Sequence, residues 1–215
     1  MKNSLLPHFL RIFLPLALLT LIGAFLRGTA ELEADIEVVD SSEKFNVGRG
    51  AAVLNGVIDS IARDLHYLAS HNELQLAINS PTPTHINDLA GELANFSRAK
   101  QIYDQLRWID ETGMERVRVD LVNGSPVNVV GDKLQNKGKR YFFADAVKLN
   151  PGEIFISPLD LNIEMGSIEV PHKPMIRLAT PVKDAQGVQR GIVIINYLGE
   201  KMLRAFSEAT SLIDD

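Results

Sequence analysis

The sequence predicts an α+β domain with an antiparallel sheet, a long N-terminal helix and, before that helix, a transmembrane helix. Three observations lead to this fold class. An uncharged apolar run lies near the N-terminus, apolar residues then recur with helical spacing as far as residue 99, and from Gln101 the pattern alternates with period two. Of the 215 residues, 46% are hydrophobic, which is enough to build a buried core.

The apolar run at residues 12–26 contains no charged side chain. A bilayer is crossed by about 20 apolar residues, and the run reaches that length if residues 5–11 join it, because Arg11 can extend its guanidinium to the headgroups. A cleaved signal peptide has the same charged start and apolar middle. Arg27 interrupts any small-x-small cleavage site, so we predict an uncleaved anchor over residues 12–30 after a cytoplasmic segment 1–11.

The charge distribution predicts the orientation of this anchor. Lys2 and Arg11 precede the run and four acidic residues follow it between positions 31 and 37, so the positive-inside rule places everything after the anchor outside. We expect a single-pass protein of the inner (cytoplasmic) membrane with a periplasmic or extracellular C-terminal domain. Its formal charge from Gly28 onward is −8, because the chain's −5 includes three cations and no acidic residue before that point. This acidic domain argues against a nucleic-acid partner.

Residues 45–78 predict a long helix, and residues 31–99 together are expected to form a helical stalk and a second helix. The apolar side chains of the long helix recur at alternating spacings of four and three, namely Leu54, Ile58, Ile61, Leu65 and Leu68. This stripe either packs on its own domain or forms the seam of a homodimer, and both can hold at different depths. Pro81 and Pro83 end the helix, and a second one is predicted over residues 87–99.

The period-two region predicts strands, a short helix and a closing helix. Strands are expected around residues 102–108, 117–121, 127–130, 153–157, 175–183 and 192–195, with helices over residues 141–147 and 200–213. Asn123-Gly124 is a strong hairpin turn, since both residues accept positive φ. Trp108 is expected in the core, and Tyr103 either there or at a ligand.

The chain shows no recognisable catalytic motif. Its five histidines lack ligand spacing, since His66 and His71 are five apart and a shared helix face needs four. No Gly-rich phosphate loop, nucleophile elbow, or kinase or cyclase signature is present. With no cysteine there is also no thiol nucleophile. We therefore predict a protein that is not an enzyme, with no catalytic residue, metal or cofactor.

Three segments occur in an order that resembles the Cache family, relatives of the PAS fold. They are an aromatic cluster at residues 139–146, a strand that ends in Ser157-Pro158, and a hairpin whose second strand ends at Asn196. Cache domains commonly carry an Arg-Pro-Trp-Tyr cluster, a Ser-Pro strand end and a final Asp. Tyr141, Phe142 and Phe143 replace Pro, Trp and Tyr here, and Asn196 replaces the Asp.

The resemblance covers residues 45–206, and residues 157–164 and 170–177 are similar to the membrane-distal half of double-Cache modules in bacterial histidine kinases and diguanylate cyclases. It implies a Cache-like sensor domain over residues 100–206, followed by the end of a C-terminal helix at 207–215. The implied function is an extracytoplasmic small-molecule sensor of a membrane-anchored signal-transduction receptor. Such receptors continue into a second Cache unit and an output module, so the sequence is expected to be truncated before them or to act through a partner.

A sensor pocket of this kind needs an aromatic lining with a few converging polar groups. The candidate ligand-binding residues are Arg118, Arg140, Tyr141, Phe143, Asp145, Ser157 and Arg177. An arginine fork binds a carboxylate and an aspartate accepts from an ammonium group, so an amino acid, an organic acid or an amine is the expected ligand. Alternatively, the arginines simply form the solvent face of half-buried strands.

Amino-acid-binding relatives carry an Arg-x-Trp and a Tyr-x-Asp motif. Arg116-Val117-Arg118 and the pair Tyr141 and Asp145 match these motifs only in part. Three further polar residues either rim the pocket or cap turns, namely Asp160, Asn162 and Glu164. The rival functions are a membrane-tethered periplasmic interaction or assembly protein that dimerises and has no ligand, and a hydrolase with an unrecognised site.

Overall fold

The computed structural model describes residues 5–211, which divide into two compact units, one ending at Gly50 and the other beginning at Ala51. The first helix, α1, is Leu5–Ala69. Within it, Pro7–Thr29 is long and apolar enough to cross a membrane, with 23 residues and a mean hydropathy of 2.2. This segment includes Arg11, as expected if residues before the uncharged run join the span.

Two shorter helices follow α1, α2 (Asn72–Asn79) and α3 (Pro83–Lys100). The predicted helix over residues 45–78 is therefore interrupted, because His71 adopts an extended backbone and starts α2. The break turns Leu74 into the core. At the start of α3, Thr82 accepts a hydrogen bond from the His85 N–H at 3.2 Å, and Pro83 occupies the first helical position.

The remaining chain forms a seven-stranded antiparallel sheet with two more helices. The strands are β1 (Tyr103–Ile109), β2 (Glu115–Val122), β3 (Ser125–Val129), β4 (Phe155–Ile156), β5 (Asp160–Leu161), β6 (Ile163–Glu164), β7 (Ser167–Ile168), β8 (Pro174–Lys183) and β9 (Gln189–Leu198). The order is β3-β2-β1-β9-β8-β4, with β5 also on β8, while β6 and β7 form a separate hairpin. The helices are α4 (Tyr141–Ala146) and α5 (Gly199–Thr210). The predicted α+β class with an antiparallel sheet is confirmed.

One face of the sheet packs on the helices and forms the main core. Ile61, Leu65 and Leu68 of α1 are at most 1% exposed and pack against strand residues such as Leu106 and Val119. Packing of the stripe on its own domain is therefore confirmed, while Leu54 and Ile58 are partly buried at its edge. Trp108 and Tyr103 are both buried core residues.

The position of β9 depends on a glycine. Gly191 has φ +96°, and a Cβ there would lie 1.9 Å from the carbonyl oxygen of Ile109. Only glycine lets the two backbones approach so closely at this conformation. The pairing of β9 with β1 begins next to this close contact, with Ile192 opposite Ile109. The same register places Asn196 opposite Gln105.

Candidate functional site

The second face of the sheet, opposite α1–α3, contains a cluster of buried arginines. Arg107 on β1 pairs in register with Arg118 on β2, and Arg177 on β8 pairs with Asn196 on β9. Residues that pair across strands point to the same face. Three guanidinium groups therefore converge beneath α4 and the segment that contains β5 and β6. We call Arg107, Arg118 and Arg177 the arginine cluster.

Arg107 is the central member, and its side chain is only 2% exposed. It donates to the Glu115 carboxylate at 3.2 Å and to the side-chain oxygen Oδ1 of Asn196 at 2.6 Å. Asn196 in turn donates to Gln105 at 2.9 Å, which orients its amide. Burial lowers the pKa of Arg107, and the Glu115 carboxylate opposes that effect. Its Nε is buried without a hydrogen-bond partner within residues 5–211.

Arg118 binds two carboxylates. Its fork donates to Asp120 at 2.7 and 2.9 Å, and its Nη1 donates to Glu164 at 3.2 Å. Burial lowers the pKa of Arg118, but its hydrogen bonds to the Asp120 carboxylate and the charge of that carboxylate outweigh burial and raise the pKa. For Glu164, burial raises the pKa. The opposing charges and hydrogen bonds are stronger and lower its pKa to about 2; they come from Arg118, Gln105, Lys137 and Gln135. Both groups are therefore charged at neutral pH.

Arg177 is the third member and is 1% exposed. It donates to the Asp160 carboxylate and, at 3.1 Å, to Asn162. Asp160 also accepts from the Tyr141 hydroxyl at 2.6 Å. Burial and that hydrogen bond raise the pKa of Tyr141. Ser157 accepts from the Arg177 backbone N–H at 2.9 Å, so it fixes the strand rather than the guanidinium.

The ring of Phe142 on α4 covers the cluster. It lies 5.6 Å from the Arg107 guanidinium, 5.5 Å from that of Arg177 and 5.4 Å from that of Arg140. Cations over an aromatic face are attracted by its quadrupole. Phe142 replaces the Trp of the Cache pattern and was not among the predicted site residues.

The structure brings most predicted site residues together. Arg118, Tyr141, Ser157 and Arg177 belong to the connected polar groups, and Arg140 is half-buried against Phe142. Two others lie elsewhere: Phe143 packs in the apolar cluster beside Ile109, and the exposed Asp145 pairs with Lys148 at 3.2 Å. Because Arg118 is 6% and Arg177 1% exposed, the alternative that they form a solvent face is wrong.

Sequence reasoning missed several members of this site. They are Arg107, Gln105, Glu115, Lys137 and the role of Asn196. The signal for Arg107 was present, because it alternates with Leu106 and Trp108 just as Arg118 alternates with valines. Asp160 and Glu164 bind guanidinium groups, which favours the pocket-rim interpretation over turn capping.

An open recess of about 310 Å³ lies beside the cluster. Its walls are formed by Arg118, Asp120, Val129, Lys133, Gln135, Glu164 and Met165. Small-molecule sites generally start at about this volume and combine apolar walls with a few polar groups. Solvent therefore reaches Arg118 and Glu164 from this side.

A model of the family "bacterial histidine kinase, sensor domain" matches residues 54–204. The chain belongs to this sensor-domain family. The match includes the entire arginine cluster and all nine strands. Comparison with curated proteins finds no match.

Solved structures share the fold of this sensor domain. The domain of a sensory box/GGDEF family protein from Vibrio parahaemolyticus aligns with a TM-score of 0.69 at 20% identity, over 75% of this chain and 61% of the other. The extracellular domain of a histidine kinase aligns with a TM-score of 0.68 at 21% identity, over 79% and 61%. The Campylobacter jejuni chemoreceptor Tlp3 ligand-binding domain, in complex with L-norvaline, gives 0.55 at 16% identity, over 79% and 63%.

These comparisons confirm the resemblance to Cache-type sensor domains. The chain spans about 61% of the length of the first two solved relatives. At 16–21% identity the likeness concerns the fold. The family match is to a sensor domain and indicates no catalytic module over residues 54–204.

Proposed function

We propose that the chain is the extracytoplasmic input domain of a membrane-anchored bacterial receptor and binds a small molecule at the arginine cluster. The sensor-domain family and the candidate span Pro7–Thr29 support the membrane receptor. The observation that carries the binding proposal is the set of three buried guanidinium groups, of which that of Arg118 lines an open recess.

The need for a stable fold does not by itself explain why so many charged groups are buried here. Removing an ion from water costs roughly several kcal/mol. Replacing a buried ion pair with apolar side chains therefore often leaves protein stability unchanged or increases it. Functional sites are where strongly perturbed ionisable groups concentrate. Arginine forks are also suited to carboxylate ligands. Tlp3 structures contain L-norvaline, isoleucine or L-valine, so we extend to this chain the class of amino acids, organic acids or amines.

The signal is a difference in ligand affinity between two arrangements of the domain. β1 contains Arg107 and also Tyr103, whose hydroxyl donates to Asp64 of α1. Lys100 binds the same carboxylate at 2.8 Å. A shift of β1 on ligand binding therefore reaches α1 through Tyr103. The output is a kinase, cyclase or chemotaxis module on the same receptor or on a partner.

The test is a thermal-shift screen of the full chain in detergent. The panel contains amino acids, organic acids, amines and sugars. A ligand that binds only the folded state at 100 times its Kd adds about 2.7 kcal/mol of stability. At least one class should raise Tm in the wild type and in Lys148→Gln, which removes an exposed cation, but not in Arg118→Gln. A panel with no shift in the wild type contradicts the proposal.

A second candidate function, a tethered interaction protein that dimerises without a ligand, is favoured by apolar side chains on α1. Ile36, Val39 and Val47 are 56–65% exposed and share one helix face by their spacing. Exposed apolar stripes commonly contact another chain. The natural occupant of a stripe on a receptor stalk is a second copy of the chain, which a crosslinking experiment can detect.

A further inference from the structure

The carboxylate of Glu164 is surrounded by donors from three parts of the chain. Gln105 of β1 donates at 3.1 Å, Arg118 of β2 at 3.2 Å and Gln135 at 2.9 Å. Asn162 donates at 3.4 Å, and the Lys137 ammonium lies at 3.6 Å. We call these donors the Glu164 site. Several converging neutral and cationic donors are what a protein uses to bind a carboxylate ligand.

The element that contributes Glu164 is small and separate from the main sheet. The hairpin β6–β7 pairs only Ile163 with Ile168 and Glu164 with Ser167. Its turn is Met165-Gly166, and the Met165 side chain is 69% exposed. An element with few buried apolar contacts opens at low free-energy cost. The carboxylate, by contrast, is held by donors outside the hairpin, and its side chain is 21% exposed.

The recess beside the cluster lies next to this carboxylate. Glu164 and Met165 form one wall, and the donors Arg118 and Gln135 form part of the others. Withdrawal of the Glu164 side chain would join the Glu164 site to the open recess. A small molecule that enters the recess from solvent therefore meets Glu164 together with two of its donors, Arg118 and Gln135.

The paired charges in this region are already balanced, and the further cation Lys133 on the recess wall is exposed to solvent. Arg107, Arg118, Arg177 and Lys137 face Glu115, Asp120, Asp160 and Glu164. At the rim, Lys173 pairs with Asp104 at 3.3 Å and with Glu169 at 2.7 Å. An additional anion would leave an uncompensated buried charge, which is strongly unfavourable. A ligand carboxylate can enter at low cost only by replacing one that is present.

We infer that Glu164 is an internal competitor at an anion-binding site, and that the ligand's carboxylate displaces it and releases the hairpin β6–β7. This inference rests on the proposed function, and it specifies the ligand class as a carboxylate. Exchange of one carboxylate for another conserves both the charge and the hydrogen bonds of the donors. The displaced hairpin is then a conformational signal at the surface of the domain.

The test uses Glu164→Ala and sodium acetate. The substitution removes Cγ and the carboxylate of Glu164, and acetate supplies a methyl group and a carboxylate that can fill the same space. In the full chain, acetate should raise Tm of Glu164→Ala by several degrees relative to chloride at equal ionic strength, and raise that of the wild type far less. The double variant Glu164→Ala/Arg118→Gln should lose the response. An equal acetate effect in wild type and Glu164→Ala, or none in either, overturns the inference.

Two further variants keep the test decisive. Glu169→Ala removes a neighbouring carboxylate that does not line the recess, so it should show no acetate-specific shift. Glu164→Gln preserves side-chain size and should respond to acetate more than the wild type. If Glu164→Ala does not fold in chloride, recovery of folded protein in acetate is the supporting result, and failure in both salts together with an unresponsive Glu164→Gln is the contrary one.

Failure of this inference is distinguishable from failure of the proposed function. Hydrogen exchange at residues 163–168 should accelerate when a ligand from the thermal-shift panel binds. If a ligand binds and exchange there is unchanged, the displacement is wrong and the sensor function stands. If acetate rescues Glu164→Ala but no panel member binds the wild type, the anion-binding site is correct and the sensor function is wrong.

Discussion

At the scale of residues, each buried guanidinium of the arginine cluster lies against at least one carboxylate, and Arg107 and Arg118 share Glu115. Arg107 has Glu115, Arg118 has Asp120 and Glu164, and Arg177 has Asp160. Removing one partner of such a pair leaves a buried charge without compensation, which costs more than the pair contributes. Single substitutions in the cluster therefore affect both folding and binding.

Arg177→Met should lower the free energy of unfolding by about 1–3 kcal/mol, because Asp160, which is 33% exposed, and buried Asn162 lose the guanidinium that donates to them. Urea denaturation of the full chain measures the loss. Lys148→Met is the matched control, since its exposed pair with Asp145 contributes less than about 0.5 kcal/mol. Equal losses in the two variants would contradict the proposed charge compensation.

Glu164 predicts a pH dependence of stability. Its pKa is lowered from 4.5 to about 2, so its contribution is fully present above pH 4.5 and is lost as the pH falls through the folded value. Because Glu164 lines an open recess, solvent screening reduces its contribution to less than roughly 3 kcal/mol. The stability difference between wild type and Glu164→Gln, measured by urea denaturation, should shrink steadily between pH 5 and pH 2. Parallel curves over that interval would show that Glu164 does not titrate in this way.

The sequence allowed Arg118 and Arg177 to be predicted as site residues, but neither Arg107 nor the partners of these arginines. Arg118 and Arg177 alternate with apolar residues, and such a pattern marks two faces of a strand without saying which face is covered. Arg118 and Glu164 are 46 positions apart, and their contact depends on how β6 folds over the sheet. The alternation of apolar and polar residues within a strand contains no information about a contact between residues so far apart in the sequence.

At the scale of elements, the long periodic segments were predicted, and so was the two-residue strand β4, which lies within the predicted strand 153–157, whereas three other short strands were missed. Strands β5, β6 and β7 have two residues each, which is too short for any period to be visible. The break between α1 and α2 has no proline or glycine to mark it, so residues 45–78 were predicted as one helix. The strands β8 and β9, with ten residues each, were found from their alternation.

Gly191→Ala should destabilise the domain by more than about 2 kcal/mol, because the energetic cost of a positive φ and the cost of the backbone clash are summed. The matched control is Gly56→Ala, an exposed position in α1 with no atom within 4 Å of the new Cβ. Alanine there should stabilise the helix by about 0.5–1 kcal/mol. Thermal denaturation of both variants distinguishes them, and a neutral Gly191→Ala would show that β9 does not need the close crossing.

At the scale of the whole molecule, the proposed homodimer must use α1 residues outside the core. Ile61, Leu65 and Leu68 pack inside their own domain, so charged substitutions there would unfold it rather than separate two chains. The exposed face with Ile36, Val39 and Val47 is the apolar candidate for this seam, while exposed Val38 and Phe45 lie on the opposite side of α1. The absence of cysteine from the natural chain makes this face easy to probe.

Val39→Cys should form a disulfide-linked dimer in membranes under mild oxidation, because equivalent positions on a shared seam approach each other. Val38→Cys is the matched control: it is similarly exposed, at 65% against 56%, and points away from that face. Non-reducing gel electrophoresis measures the crosslink. Equal crosslinking at both positions, or none at Val39→Cys, would contradict a dimer through this face.

The central claim is that a small molecule binds on the sheet face formed by β1, β2 and β8, beneath α4. The most direct measurement is a crystal structure of the full chain with a ligand identified in the thermal-shift screen. We expect the ligand's carboxylate within hydrogen-bond distance of the Arg118 guanidinium, with Glu164 displaced. A ligand bound instead in the cleft on the opposite side of the sheet, between Trp108 and Arg190, would contradict the claim.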